Sequence, residues 1–244
     1  MKIVELSSFA DADDLASAVA RAWLDEIESA NRAGKPHCVA LSGGRIMQRF
    51  FTATVEQAKN RQVAFTNVHF FWADERCVPP ADPDSNFKLA KELLLLRLNI
   101  AAEKIHRLRG EDSPADALSQ AEAELGRTAP KNQNHRPVLD LVLLSMGEDG
   151  HIASLFPNAD PTALNSPASF LAVKNSPKPP PGRISLSYAA IADAQHVWSM
   201  VSGAGKEAAF RESIKPAGQT PLARVIQSRP AQSPVKVFTD LAGF

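Results

Sequence analysis

Net charge is the first thing this sequence lacks: 27 Lys and Arg stand against 27 Asp and Glu over 244 residues, leaving formally zero. That removes the electrostatic footprint of a general nucleic-acid binder or of a protein drawn to an anionic membrane, so a charged ligand has to be held by local arrangement. Long apolar runs are missing too. No window approaches the ~20 residues of a membrane span. The opening MKIVELSSFADADD carries Glu5, Asp11, Asp13 and Asp14 where a secretory leader would need an apolar stretch, so a cytoplasmic location is expected. Cysteine is scarce. Cys38 and Cys77 lie in or beside apolar strand-like runs without CxxC or His-paired spacing, which favours buried reduced thiols over a metal site or disulfide framework. Fixed-period repeats are absent, as are low-complexity tracts apart from Pro177-Lys178-Pro179-Pro180-Pro181-Gly182, read as a stiff loop. No GxSxG elbow and no HExxH motif occurs, so neither a covalent serine nor a metal is expected to do the chemistry.

What is present is an ordinary globular composition, 44% hydrophobic and 22% charged. At roughly 150 residues per domain the length allows one large domain or two small ones sharing a core, and a single domain over residues 1–244 is expected. Over residues 11–33 apolar side chains recur every three or four positions (Leu15, Val19, Trp23, Ile27) between Asp11 and Gly34, predicting a capped amphipathic helix. A strand at 37–41 leads through Ser42-Gly43-Gly44 into a helix at 45–59. A strand at 63–73 ends in Asp74-Glu75-Arg76, and Ser85 is placed to cap a helix running to 98. The continuous apolar run at 139–145 reads as a strand buried on both faces, closing in Met146-Gly147-Glu148-Asp149-Gly150-His151. Residues 196–202 repeat the pattern and close in Gly203-Ala204-Gly205-Lys206 before a helix at 207–214. Strands alternating with helices predict an α/β fold with a mostly parallel, doubly wound, Rossmann-like sheet flanked by helices.

Ligands of such sheets bind at the carboxyl ends of the strands, where all four unusual segments fall. Ser42, Gly43, Gly44 and Arg45 offer backbone N–H groups at a helix start, suited to a phosphate, though Gly-Gly before a helix is as often a plain tight turn. Lys206 could close on the same anion or remain merely solvated. His151 has the side chain that accepts a proton from water at neutral pH, and the nearby carboxylate of Asp149 could hold its tautomer. In Asp74-Glu75-Arg76 the guanidinium could orient a hydroxyl or meet negative charge developing on a carbonyl oxygen; otherwise the triplet is an unremarkable charged loop.

The strings FFWADERCVPPADPDSN (from Phe70), LVLLSMGEDGHIASLFP (from Leu141), PPPGRISLSYAAI (from Pro179) and VWSMVSGAGKEAAF (from Val197) resemble, in order, the successive signatures of the 6-phosphogluconolactonase family. The resemblance covers essentially the whole chain. It implies the sheet architecture shared with glucosamine-6-phosphate deaminase and ribose-5-phosphate isomerase. It also implies cofactor-free hydrolysis of 6-phospho-D-glucono-1,5-lactone in the pentose phosphate pathway, by a monomer or weak homo-oligomer whose partner is that small molecule rather than nucleic acid or membrane. It makes His151 the water-activating base, Asp149 its neighbour and Arg76 a cation near the lactone. Ser42, Gly43, Gly44, Arg45, Asp74, Arg183 and Lys206 would then belong to the phosphate and substrate pocket. One departure is Arg45-Ile46-Met47, where the family commonly has Ser-Thr-Pro.

Two other readings compete. Deaminases and isomerases of amino-sugar phosphates resemble the chain at DGHIA but continue into an FNEP-like segment whose glutamate serves ring opening, whereas here the chain continues as Ser154-Leu155-Phe156-Pro157. A non-catalytic sugar-phosphate sensor would carry a DNA-binding helix-turn-helix, for which a neutral chain of this length is expected to have no room.

Overall fold

A computed structural model describes residues 4–157 and 164–244. Strands β1 (Val4–Ser8), β2 (His37–Leu41), β3 (Val68–Trp72), β5 (Leu141–Ser145), β8 (His196–Val201) and β9 (Val235–Thr239) form one sheet in the order β1-β9-β8-β5-β2-β3, with every pairing parallel. The doubly wound α/β reading holds. From β2 the chain moves outward to β3, then returns to lay β5 on the opposite side of β2, so the winding reverses between β2 and β5. Loops leaving those two strands diverge there and open a crevice at their carboxyl ends.

The main elements arise from their residues. Helix α1 (Ala12–Ala33) starts where the Asp11 carboxylate accepts from the Asp13 and Asp14 amides, and stops at Gly34, whose φ of 62° lies in the left-handed region glycine tolerates. Its apolar stripe is fully buried. Trp23 packs against Phe50, Phe65 and Phe70, and its indole N–H donates to the buried ring of His37, whose pKa burial lowers to about 4. Helix α2 (Arg45–Arg61) lies against α1, and β5 is buried on both faces, Leu141 to Leu144 having no exposed surface. Both cysteines are free thiols, Cys38 buried and Cys77 half-buried. Among the described residues no helix is long and apolar enough to cross a membrane.

Two expectations need correction. The strand predicted from residue 63 begins at Val68, because Gln62 (φ 55°) closes α2 and Val63 N–H bonds back to Ala58; residues 62–67 are spent leaving the helix. The helix capped by Ser85 is α-helical only as α3 (Asn86–Ala90), then widens into a π-turn at Lys91–Leu95 that turns Leu94 and Leu95 into the core. Lys206 closes a 3-10 turn, Ala204–Lys206, just ahead of the helix Glu207–Ser213, where the sequence puts it.

A second sheet was not foreseen. β4 (Asp74–Arg76) pairs antiparallel with β7 (Arg183–Leu186), which pairs with β6 (Phe170–Val173). The chain passes from one sheet to the other at Ala73, whose N–H bonds to Leu41 in the large sheet while its carbonyl accepts from Leu186 in the small one. A fourth helix, α4 (Pro114–Thr128), packs against β6 and β7.

Candidate active site

A cleft of about 650 Å³ opens at the carboxyl ends of β2 and β5, walled on one side by the small sheet. On a chain of zero net charge its lining is positive. Arg45, Arg49, Arg76, Lys178, Arg183 and Lys206 face Asp74, Glu148 and Asp240, so cations outnumber acids two to one and the ligand is expected to be an anion.

The β5 loop builds the base. Gly147 N–H donates to the His151 carbonyl at 2.8 Å, and Gly150 (φ 84°) makes the left-handed turn that brings residue 151 back over the strand end. His151 Nδ1 lies 2.5 Å from Asp149 Oδ1, the ring rests on Phe156 at 4.7 Å between centroids, and Nε2 has no hydrogen-bond partner among the described residues. Burial lowers the imidazole pKa against the opposing pull of Asp149, which favours the neutral ring. For Asp149 burial pushes upward, but the hydrogen bond and charge of His151 prevail and hold its pKa below the ordinary carboxylate value. Asp149 does not line the cleft. It stands behind the imidazole and fixes the tautomer.

At the opposite wall, α2 follows Gly44 with no side-chain cap among the described residues, so the start of a 17-residue helix borders the cleft uncapped. Gly44 (φ 106°) supplies the turn, and Gly43 must be glycine because a Cβ there would overlap Asn86 Oδ1. Arg45 extends into solvent, its side chain 90% exposed and 4.0 Å from Glu148. Arg49 is ion-paired with Asp13. Lys206 comes in from the loop after β8; burial, then the Arg45 charge, pull its pKa below the ordinary lysine value. Ser42 departs from the expectation that it binds substrate. It does not line the cleft, because its buried hydroxyl donates to the Leu143 carbonyl at 2.8 Å and ties the β2 loop to β5.

The small sheet carries the remaining groups. Arg76 and Arg183 are direct register partners, two like charges side by side. Burial and that neighbour lower the Arg183 pKa. Arg183 Nε donates to the Pro180 carbonyl, and its Nη2 to those of Lys178 and Pro179, so most of the guanidinium clamps the proline loop while its edge lines the cleft. Asp74 is also committed, accepting from Ser154 Oγ at 2.6 Å and from Asn86 Nδ2 at 3.2 Å.

Sequence reasoning missed Glu75, Asn86 and Lys178. Glu75 is 2% exposed and takes four donors: Arg76 N–H and Asn86 N–H on Oε1, Ser85 Oγ and Phe87 N–H on Oε2. One carboxylate thereby fastens β4 to the start of α3 and sets both Arg76 and Asn86. Burial raises its pKa, with the four donors pulling the other way. A carboxylate preceding a cation in a charged triplet gives no sign of this in sequence. Among the described residues no group of three or more His, Cys, Asp or Glu side chains could hold a metal ion.

The family model for glucosamine-6-phosphate isomerases/6-phosphogluconolactonase matches residues 10–235. A 6-phosphogluconolactonase of Mycobacterium tuberculosis is 35% identical over 215 residues, 84% of each chain. One of Haemophilus influenzae is 36% identical over 179 residues, 72% of this chain and 73% of that one. The solved structure of 6-phosphogluconolactonase from Trypanosoma brucei superposes with a TM-score of 0.83 at 25% identity, covering 96% of this chain and 95% of the other.

Proposed function

Since this chain belongs to the family of glucosamine-6-phosphate isomerases and 6-phosphogluconolactonases, we propose that its cleft opens a phosphorylated lactone by general-base attack of water, with His151 as the base. The activity is hydrolysis of 6-phospho-D-glucono-1,5-lactone to 6-phospho-D-gluconate, a step of the pentose phosphate pathway and the reaction for which the relatives at 35% and 36% identity are named.

The observation that carries the mechanism is an imidazole held by Asp149 through Nδ1, in a cleft whose charged lining is mostly cationic; burial favours the ring's neutral form. His151 Nε2 takes a proton from a water as its oxygen bonds to the lactone carbonyl carbon. Charge collects on the carbonyl oxygen, where Arg76, a cation lining the cleft, meets it. The bond to the ring oxygen then breaks, the imidazolium returns its proton to that oxygen, and the new carboxylic acid ionises. A lactone is an activated ester, so one base and modest oxyanion stabilisation are enough. The sugar phosphate lies against the α2 amides, Gly43, Gly44 and Arg45, with Lys206 opposite.

Deamination is disfavoured by the segment just after His151. Where the FNEP-like segment carries the glutamate that serves ring opening, this chain has Phe156, whose ring lies 4.7 Å from that of His151 between centroids and offers no acid. The test is hydrolysis of freshly made 6-phosphogluconolactone, corrected for spontaneous opening, alongside ammonia release from glucosamine 6-phosphate. Accelerated hydrolysis without ammonia supports the proposal; ammonia without acceleration overturns it.

A further inference from the structure

Lys178 belongs to no part of the chemistry above, yet its ammonium reaches the same carboxylate oxygen that holds the imidazole: Nζ lies 3.5 Å from Asp149 Oδ1. Its backbone is held by three independent ties. Lys178 N–H donates to Ser176 Oγ, the Ser176 hydroxyl donates to the Lys178 carbonyl at 2.8 Å, and the same carbonyl accepts from Arg183 Nη2 at 3.0 Å. Arg183 is 4% exposed and its Nε and Nη2 are spent on the carbonyls of residues 178, 179 and 180. A buried guanidinium committed to one loop needs something on that loop worth fixing in place. The side chain the loop presents to the cleft is Lys178.

Resting on the reading of His151 as base, we propose that Lys178 is a positioning residue for that base: its ammonium shares Asp149 Oδ1 with the imidazole and tunes the hold of that carboxylate on the ring. Among the described residues the charged groups acting on His151 are Asp149 on its own loop, Asp74 on β4 and Lys178 on the proline loop. The two carboxylates favour the imidazolium and Lys178 opposes it. Taking Lys178 away removes the opposing charge and leaves Asp149 wholly to the imidazole; both changes raise the ring's proton affinity.

The test is an NMR titration of the His151 ring in the intact protein, paired with the pH dependence of kcat/KM, for wild type, Lys178→Met and Lys178→Arg. Lys178 is half-exposed, so its field is partly screened, and Lys178→Met is expected to move the ring's titration upward by about half to one pH unit. The acid limb of kcat/KM should move with it, so that the deficit grows below neutrality and narrows above it. Lys178→Arg should keep the wild-type midpoint. An unmoved ring in folded Lys178→Met, or a Lys178→Arg protein that titrates like Lys178→Met, overturns the proposal. So does a deficit equal at all pH values, which would make Lys178 a plain substrate contact. A ring that shifts while the acid limb stays put keeps Lys178 coupled to His151 and instead refutes His151 as the base.

Discussion

Gly147→Ala is the smallest change that separates the seat of His151 from everything else in the protein. Gly147 does not occupy the left-handed region, so alanine meets no backbone penalty there. Its Cβ would stand 2.7 Å from Asp149 Oδ1 and closer still to Cε1 and Nδ1 of His151, against the ordinary contact distance of about 3.4 Å. The Asp149–His151 pair therefore has to retreat by about an ångström, and misplacing a reacting group by that much costs on the order of 10²-fold in rate. The assay is steady-state hydrolysis of the phosphorylated lactone near pH 7.5, with KM and kcat taken separately and circular dichroism establishing the fold. We expect kcat to fall by roughly 10²-fold with KM little changed, since the phosphate wall lies on other loops. A folded Gly147→Ala enzyme with wild-type kcat would refute the claim that this imidazole position matters.

Three further outcomes rest on the same geometry. Glu75→Gln keeps one acceptor oxygen where four donors converge and points an amide N–H₂ at two of them. It should lose about 3–5 kcal/mol in urea unfolding, and a loss under 1 kcal/mol would mean the cluster is replaceable. Arg45→Ala and Lys206→Ala should raise KM for the phosphorylated lactone more than they lower kcat while leaving unphosphorylated gluconolactone unaffected; equal effects on both substrates would remove the phosphate wall. His69 lies in a chain running from Lys104 through His69 and His106 to Glu124 on α4, and burial, then the charges of Lys104 and His106, lower its pKa from 6.5 to about 4. The fold holds this ring neutral, so the unfolded chain protonates first: the stability is full above pH ~6.5 and drains as pH falls toward ~4. Urea midpoints should drop less steeply over that range in His69→Gln than in wild type, and parallel slopes would contradict the assignment.

The parts of the molecule legible in sequence are those whose signal is local. The caps at Asp11 and Gly34, the buried run of β5 and the glycines after β2 and β8 each announce themselves within a few residues, and together they locate the carboxyl edge where the cleft lies. The small sheet escaped because the partners in its β4–β7 pairing are more than 100 residues apart and β4 is three charged residues with no alternation to read. Ser42 was misassigned for a related reason: whether a hydroxyl faces a ligand or the Leu143 carbonyl depends on a strand 100 residues away. Lys178 was hidden by its setting. Proline on either side marks a stiff loop, and only the fold reveals that the loop ends against Asp149.

The central claim is that His151 is the base, and one pH–rate series tests it most directly. For wild type, kcat/KM should rise with pH through a single limb below the ordinary imidazole value of 6.5 and then flatten, because burial lowers the ring's pKa and only its neutral form can take the proton from water. His151→Asn preserves size and polarity but has no base, so its kcat should drop by about 10²–10⁴-fold and its acid limb should vanish. A folded His151→Asn enzyme that keeps either the wild-type kcat or the acid limb would contradict the account.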